Sequence, residues 1–273
     1  MLVRGNLQKM KTTLAGPVVY QIPVGEELIG LNDVIGSPLT LRFVSEINCI
    51  HCGRKTNKSF SQGYCYPCFK SLAQCDMCIV KPETCHFHEG TCREPDWAEQ
   101  HCMQDHFVYL ANSSGIKVGI TRGSQIPTRW IDQGASSAMP IFRAKDRLVS
   151  GKLEMILKQH VADKTDWRRM LKGAPEDIDL TARRDELVDV SRAELNQLEK
   201  TLGNDAFEFL DSEKQVSIEF PVQEYPEKIK AHNLDKTAEV SGVLKGIKGQ
   251  YLILDTGVLN IRKFGGYLVE LEI

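Results

Sequence analysis

All nine cysteines of this chain of 273 residues fall between Cys49 and Cys102. They include three Cys-x-x-Cys pairs, Cys49/Cys52, Cys65/Cys68 and Cys75/Cys78. Two intervening residues let both thiolates of a pair reach one ion from a tight turn. The middle of the chain is therefore expected to fold around metal, zinc above all. His51, His86, His88, His101 and His106 lie in or beside the same stretch and extend the choice of ligands.

The N-terminal residues Met1 to Gly16 contain no apolar run followed by a cleavage site, so no signal peptide is expected. No stretch approaches the roughly 18 apolar residues of a membrane helix. The expectation is a cytoplasmic protein with reduced thiols, which argues for metal rather than a disulfide framework. With 42% hydrophobic residues the chain can also bury a core of its own.

Charge is unevenly placed. Residues 115–172 carry 12 Lys/Arg against 5 Asp/Glu, and residues 175–213 carry 4 against 12. The first segment suits a polyanion; the second does not, and under the adaptor alternative it would dock a protein partner.

Hydrophobic patterning implies an α+β chain in five parts. Residues 1–47 read as strands that can pack with the C-terminal strands, and 48–106 as a zinc knuckle or ribbon module. Residues 107–175 read as a hairpin followed by helices, with strands at 106–111 and 116–120 around the turn Asn112-Ser-Ser-Gly115. Helical spacing recurs over 144–161, 164–172 and an acidic 178–202, so residues 176–213 form a helical segment. Glycine-separated strands over 214–273 imply a small barrel or meander.

Cys49-x2-Cys52-x12-Cys65-x2-Cys68 offers four soft ligands for one tetrahedral structural zinc. For a second zinc the spacing favours Cys75, Cys78, Cys85 and Cys92, with Cys102 and His106 as alternatives. An iron–sulfur cluster on the same thiolates is a further alternative.

After the cysteine block come Val108-Tyr109, Lys117-Val118-Gly119, Arg129-Trp130 and a helix bearing Glu154. This series resembles the core of the GIY-YIG nuclease superfamily. In that core a hairpin presents a tyrosine and then a Tyr/Lys-hydrophobic-Gly motif, and an arginine and a glutamate follow on later helices. The resemblance covers residues 107–156. Its first motif lacks the family's glycine, and Lys117 stands where tyrosine is commoner. It implies a Mg-dependent endonuclease acting on DNA or RNA. Tyr109, Lys117, Arg129 and Glu154 would be catalytic, with Mg at Glu154. Lys117, Arg122, Arg129 and Arg143 would contact nucleic acid. The whole chain also resembles an uncharacterised bacterial family, a domain of unknown function, through segments such as Cys65-Tyr-Pro-Cys-Phe69 and Pro127-Thr-Arg-Trp-Ile-Asp-Gln-Gly-Ala135.

The expected function is thus a zinc-stabilised nucleic-acid-binding protein with an endonuclease core. The alternative is a non-catalytic zinc adaptor that docks a protein through its zinc module and acidic helices. No membrane partner is expected.

Overall fold

The computed structural model describes residues 1–161, 166–173 and 175–273. Residues 164 and 165, at the start of the helical pattern expected over 164–172, lie outside them. The fold is α+β. It opens with β1 (Leu2–Asn6), β2 (Lys11–Thr13), β3 (Val19–Val24), β4 (Glu27–Gly30) and the long β5 (Pro38–Asn48). The cysteine-rich stretch follows with little regular structure: β6 (Lys55–Thr56), α1 (Tyr66–Ser71), short 3-10 turns and α2 (Pro95–His101). Next come β7 (His106–Asn112), β8 (Ile116–Arg122), α3 (Thr128–Asp132), β9 (Ser137–Ala144) and α4 (Arg147–Leu157). Then follow α5 (Trp167–Met170), α6 (Leu180–Val190), α7 (Arg192–Leu202), β10 (Phe207–Phe209) and β11 (Val216–Ser217). The chain finishes with β12 (Glu239–Lys248), β13 (Tyr251–Leu254), β14 (Gly257–Asn260) and β15 (Tyr267–Glu272).

β12, β13 and β14 form a meander, and the largest sheet runs β1-β15-β5-β12-β13-β14 with β6 on β5. None of the sheets closes into a barrel among the described residues. β5 sits between strands from the far end of the chain: Leu41 pairs with Val240 on one side and with Leu271 on the other. Its Leu39 and Leu41 are buried and the intervening Thr40 is not, which is the period-two alternation of a sheet with one core face. β2, β3 and β4 make a small sheet that adds Tyr20, Ile22 and Val24 to the same core.

The second sheet has the order β10-β9-β7-β8, with β11 also on β9. β7 is covered on both faces, hence its unbroken apolar sequence. Tyr109 and Ala111 point into the core shared with the terminal strands, while Val108 and Leu110 face the helices. The β7–β9 register shifts between Val108 and Tyr109, opposite Pro140, where the missing N–H cannot extend the ladder.

α4 closes the helical side. The Asp146 side chain accepts the Val149 N–H at 2.8 Å and starts the helix. Val149, Leu153 and Leu157, four apart, are all buried, each contributing about 1.5–3 kcal/mol by burial. The helical pattern expected over 178–202 is interrupted in the structure. α6 ends and α7 begins at Ser191, a fully buried residue at φ −96° and ψ 4°. Serine competes poorly inside a helix, and the break lets Leu187 and Leu195 both face the core.

Candidate metal centre and groove

Cys49 and Cys52 sit on the turn that ends β5. The Cys49 N–H donates to Arg54 O and the Gly53 N–H to Cys49 O, both at 2.9 Å, and Gly53 takes φ +70° to close the turn. Cys65 immediately precedes α1 and Cys68 lies in its first turn, after Pro67. The two turns lock together through Ile50. Its N–H donates to Gly63 O at 2.9 Å, and its side chain fills the space a Cβ on Gly63 would need.

The Sγ atoms of Cys49, Cys52, Cys65 and Cys68 all lie within 4.8 Å of one another, with Cys52 and Cys65 3.8 Å apart. Burial pushes the Cys49 thiol up, but N–H groups of Cys52, Cys65 and His51 outweigh it and bring it down to about 6. Burial, then hydrogen bonds that the Cys68 thiol donates to Cys65, Cys52 and Cys49, keep Cys68 protonated. An ionised thiol beside a protonated one is an arrangement in which a metal ion can replace the shared proton. The donor set fits zinc: four soft ligands and no position left for water.

The cysteines assigned to a second ion divide differently from their spacing. Cys75 packs with Cys49, Cys65, Cys68 and Leu72, beside the first cluster. Burial raises its thiol to about 11. Cys78, Cys85, Cys92 and Cys102 instead line one small cavity together with Asp76 and His86. His106 does not line it. His106 is buried, its Nδ1 engaged with Gln104 O at 2.7 Å, and its Nε2 has no hydrogen-bond partner among the described residues. Burial lowers it to about 4, so it is neutral at physiological pH.

A groove of about 920 Å³ lies between the cysteine-rich stretch and the second sheet. Lys117 and Gly119 of β8, Arg129 of α3, Glu154 of α4 and Arg262 all line it. Tyr109 lies beneath the lining, fully buried. Its hydroxyl donates to Gln133 Oε1 at 2.9 Å and is also hydrogen-bonded by Arg129. Burial raises the Tyr109 pKa, against the opposing pull of Arg129, so the hydroxyl stays protonated. Gly119 is required by this arrangement, because a Cβ there would stand 2.6 Å from the Tyr109 hydroxyl. Glu154 is 3.3 Å from Lys158.

Arg122 and Arg143 are not in the groove lining. Arg143 pairs with Glu208 at 2.7 Å and Asp105 at 3.8 Å on the exposed side of β9. Arg122 is half-buried near Arg147, and burial lowers its pKa. The lining does add Lys9, Lys11, Lys158 and Arg262, which no local motif signals. Lys9 also pairs with Asp132, whose other oxygen accepts from Gln250 at 2.8 Å, so the N-terminus is tied to α3 and the C-terminal sheet.

No helix among the described residues is long and apolar enough to cross a membrane. No curated protein and no solved structure matches the chain. Residues 36–269, from the approach to β5 into β15 and spanning every cysteine, Tyr109, Arg129 and Glu154, match the family model described as Protein of unknown function (DUF2797). On that match the chain belongs to this family.

Proposed function

We propose that this protein binds a nucleic-acid strand in the groove beside its metal module and cuts it with a divalent ion held at Glu154. One observation carries the reading. Six cations and one carboxylate line the groove, although the chain as a whole has a net charge of −2. Local positive charge against a neutral background is the footprint of a phosphate-polymer site.

The order of elements supports the GIY-YIG likeness. Tyr109 is on the first hairpin strand, Lys117 and Gly119 on the second, Arg129 on the next helix, and Glu154 on the helix after the third strand. Arg129 offers a planar fork of donors for the charge that builds on a phosphate during cleavage. Tyr109, sealed below the lining, positions Arg129 rather than touching water. A single carboxylate fits Mg²⁺ only when substrate phosphate supplies further oxygens. When bound there, the ion would polarise a phosphate oxygen.

Fluorescence anisotropy with short DNA and RNA strands, joined to a gel cleavage assay with Mg²⁺, tests the proposal. The wild type should bind with an affinity that falls steeply as salt rises. Glu154→Gln should bind and fail to cut; Arg129→Ala should weaken both. Absence of salt-sensitive binding would sink the reading, and binding without cutting by the wild type would remove its catalytic half.

A second reading, the adaptor, is favoured by apolar side chains the metal module leaves in solvent: Tyr66, Met77 and Val80 are 56%, 61% and 78% exposed. It predicts protein capture that Tyr66→Ser and Val80→Ser together abolish, with no effect of Glu154→Gln.

A further inference from the structure

We propose that Cys78, Cys85, Cys92 and Cys102 form a second closed seat for a zinc ion, fastening the metal module to α4. The four residues come from four separate places: a 3-10 turn at Met77–Ile79, the residue after the turn Pro82–Thr84, the loop beyond Gly90, and the end of α2. They nevertheless converge on one cavity of about 10 Å³, the space of a single water-sized body. Cys78, Cys85 and Cys102 are 8%, 8% and 3% exposed, and Cys78 and Cys85 share a hydrogen bond. Gly90 takes φ +73°, turning the chain so that Cys92 comes back toward Cys85.

Buried thiols around a hole are poor packing, because sulfur is a weak hydrogen-bond partner and the hole leaves their contacts unmade. Soft donors around an ion-sized space suit zinc. The surroundings supply the matching charge. Arg147 Nε donates to the Cys102 sulfur at 3.3 Å, as donors around a metal centre do for its ligands. Arg147 is the first residue of α4, so the ion would tie the module to the helix that carries Glu154.

Outside the first cluster, the ligand atoms gathered within 4.8 Å of one another among the described residues are those of Asp76, Cys78 and His86, so the four thiols would have to close in around the ion. Asp76 is already engaged by other donors, while His86 keeps its Nε2 toward Asp76, 3.6 Å away. Asp76 accepts from Arg93 Nε at 2.7 Å and from the Met77 N–H, and His86 Nδ1 meets Thr91 Oγ1 at 2.7 Å. A cation placed at Asp76 would also face the Arg93 guanidinium. The thiolate set also faces a guanidinium, Arg147 at Cys102, but it brings four soft donors where the other set brings one, and the seat stands whether or not the groove binds nucleic acid.

Elemental analysis of the purified full chain, with X-ray absorption at the zinc edge, decides the matter. The wild type should hold two zinc ions per chain with sulfur ligands alone. Cys85→Ser and Cys102→Ser should each hold one, while Cys75→Ser and His86→Gln keep two. One zinc in the wild type, nitrogen or oxygen ligands at the zinc edge, iron with sulfide in place of zinc, or loss of an ion from His86→Gln would each overturn the assignment. The absorption measurement needs no variant, so a substituted chain that fails to fold does not shield the proposal.

Discussion

A Cβ on Gly119 would stand 2.6 Å from the Tyr109 hydroxyl, with the ring directly across the hairpin in register. Gly119→Ala should therefore destabilise by about 1–3 kcal/mol, the cost of forcing a methyl into a packed site, and lower the urea midpoint without changing the slope. It should also shift Arg129 and weaken groove binding. An unchanged midpoint would show that Tyr109 can move freely. Lys248 makes a second residue-scale case. It is 1% exposed, its Nζ donates to Gly173 O at 2.9 Å, and it lies over the rings of Phe220 and Tyr225. Burial lowers its pKa from 10.5 to about 8. Between those values the unfolded chain holds a proton that the folded chain has released. Stability should thus climb from pH 8 to 10.5 and be flat in this respect outside that window. Lys248→Met keeps the stem and removes the charge. It should gain about 1–3 kcal/mol at pH 7, the desolvation cost less the ring attraction. The stability difference between wild type and variant should vanish toward pH 10.5; denaturation at pH 7, 9 and 10 follows it, and parallel curves would refute it. Tyr109 and Gly119 were legible in the sequence as a motif. The burial of Tyr109, and the presence of Lys248 in a core, were not, because both depend on strands distant in the chain.

Elements were easier to read than their junctions. The hairpin of β7 and β8, the run of α4 and the C-terminal meander follow from period and turn residues, which are local properties, whereas β9, which pairs with β7 in the second sheet, falls where only helices were expected after the hairpin. The helix break at Ser191 is not local, since it is the core that rewards burying Leu187 and Leu195 at once. Nor is the docking of α4 against the metal module, where a Cβ on Gly151 would meet the Glu83 backbone nitrogen at 2.3 Å. Two opposing effects meet at this glycine. Alanine in a helix interior gains about 0.5–1 kcal/mol over glycine, whereas wedging backbone from backbone costs about 1–3 kcal/mol. The wedge should win. Gly151→Ala is expected to lower stability and to speed proteolysis within residues 79–92, read by mass spectrometry of a limited digest. Stabilisation with an unchanged digest would mean that the module is not seated on α4.

At the scale of the whole molecule, the groove is assembled from chain ends, module and core, and none of those approaches can be read from neighbouring residues. β1 pairs with β15 and β5 lies between β15 and β12, so Lys9 and Arg262 arrive at one site from opposite ends of the chain. The six lining cations all lie outside the cysteine-rich stretch, whereas that stretch supplies an apolar wall that includes Ile50, Tyr64, Val80 and Pro82. The stretch has little to hold it without metal, since its buried cluster is Cys49, Cys65, Cys68, Leu72 and Cys75, flanked by Tyr64 and Phe69. The rest of the protein rests on two larger apolar cores that contain no cysteine. Chelation should therefore unfold the wall and spare the cations. Cations set the salt dependence, at most about 4 in logarithmic slope for six contacts to a single strand. On the proposed function, an aromatic and apolar wall would set contact with bases, about 1–3 kcal/mol for each one stacked. Stripping the metal should then weaken binding by about tenfold or more at fixed salt and leave the slope as it was. Anisotropy titrations across a salt series, before and after chelation, separate the two quantities. A slope that collapses with the affinity would show that the metal module holds the cations in place, and an unchanged affinity would show that the strand never touches the wall.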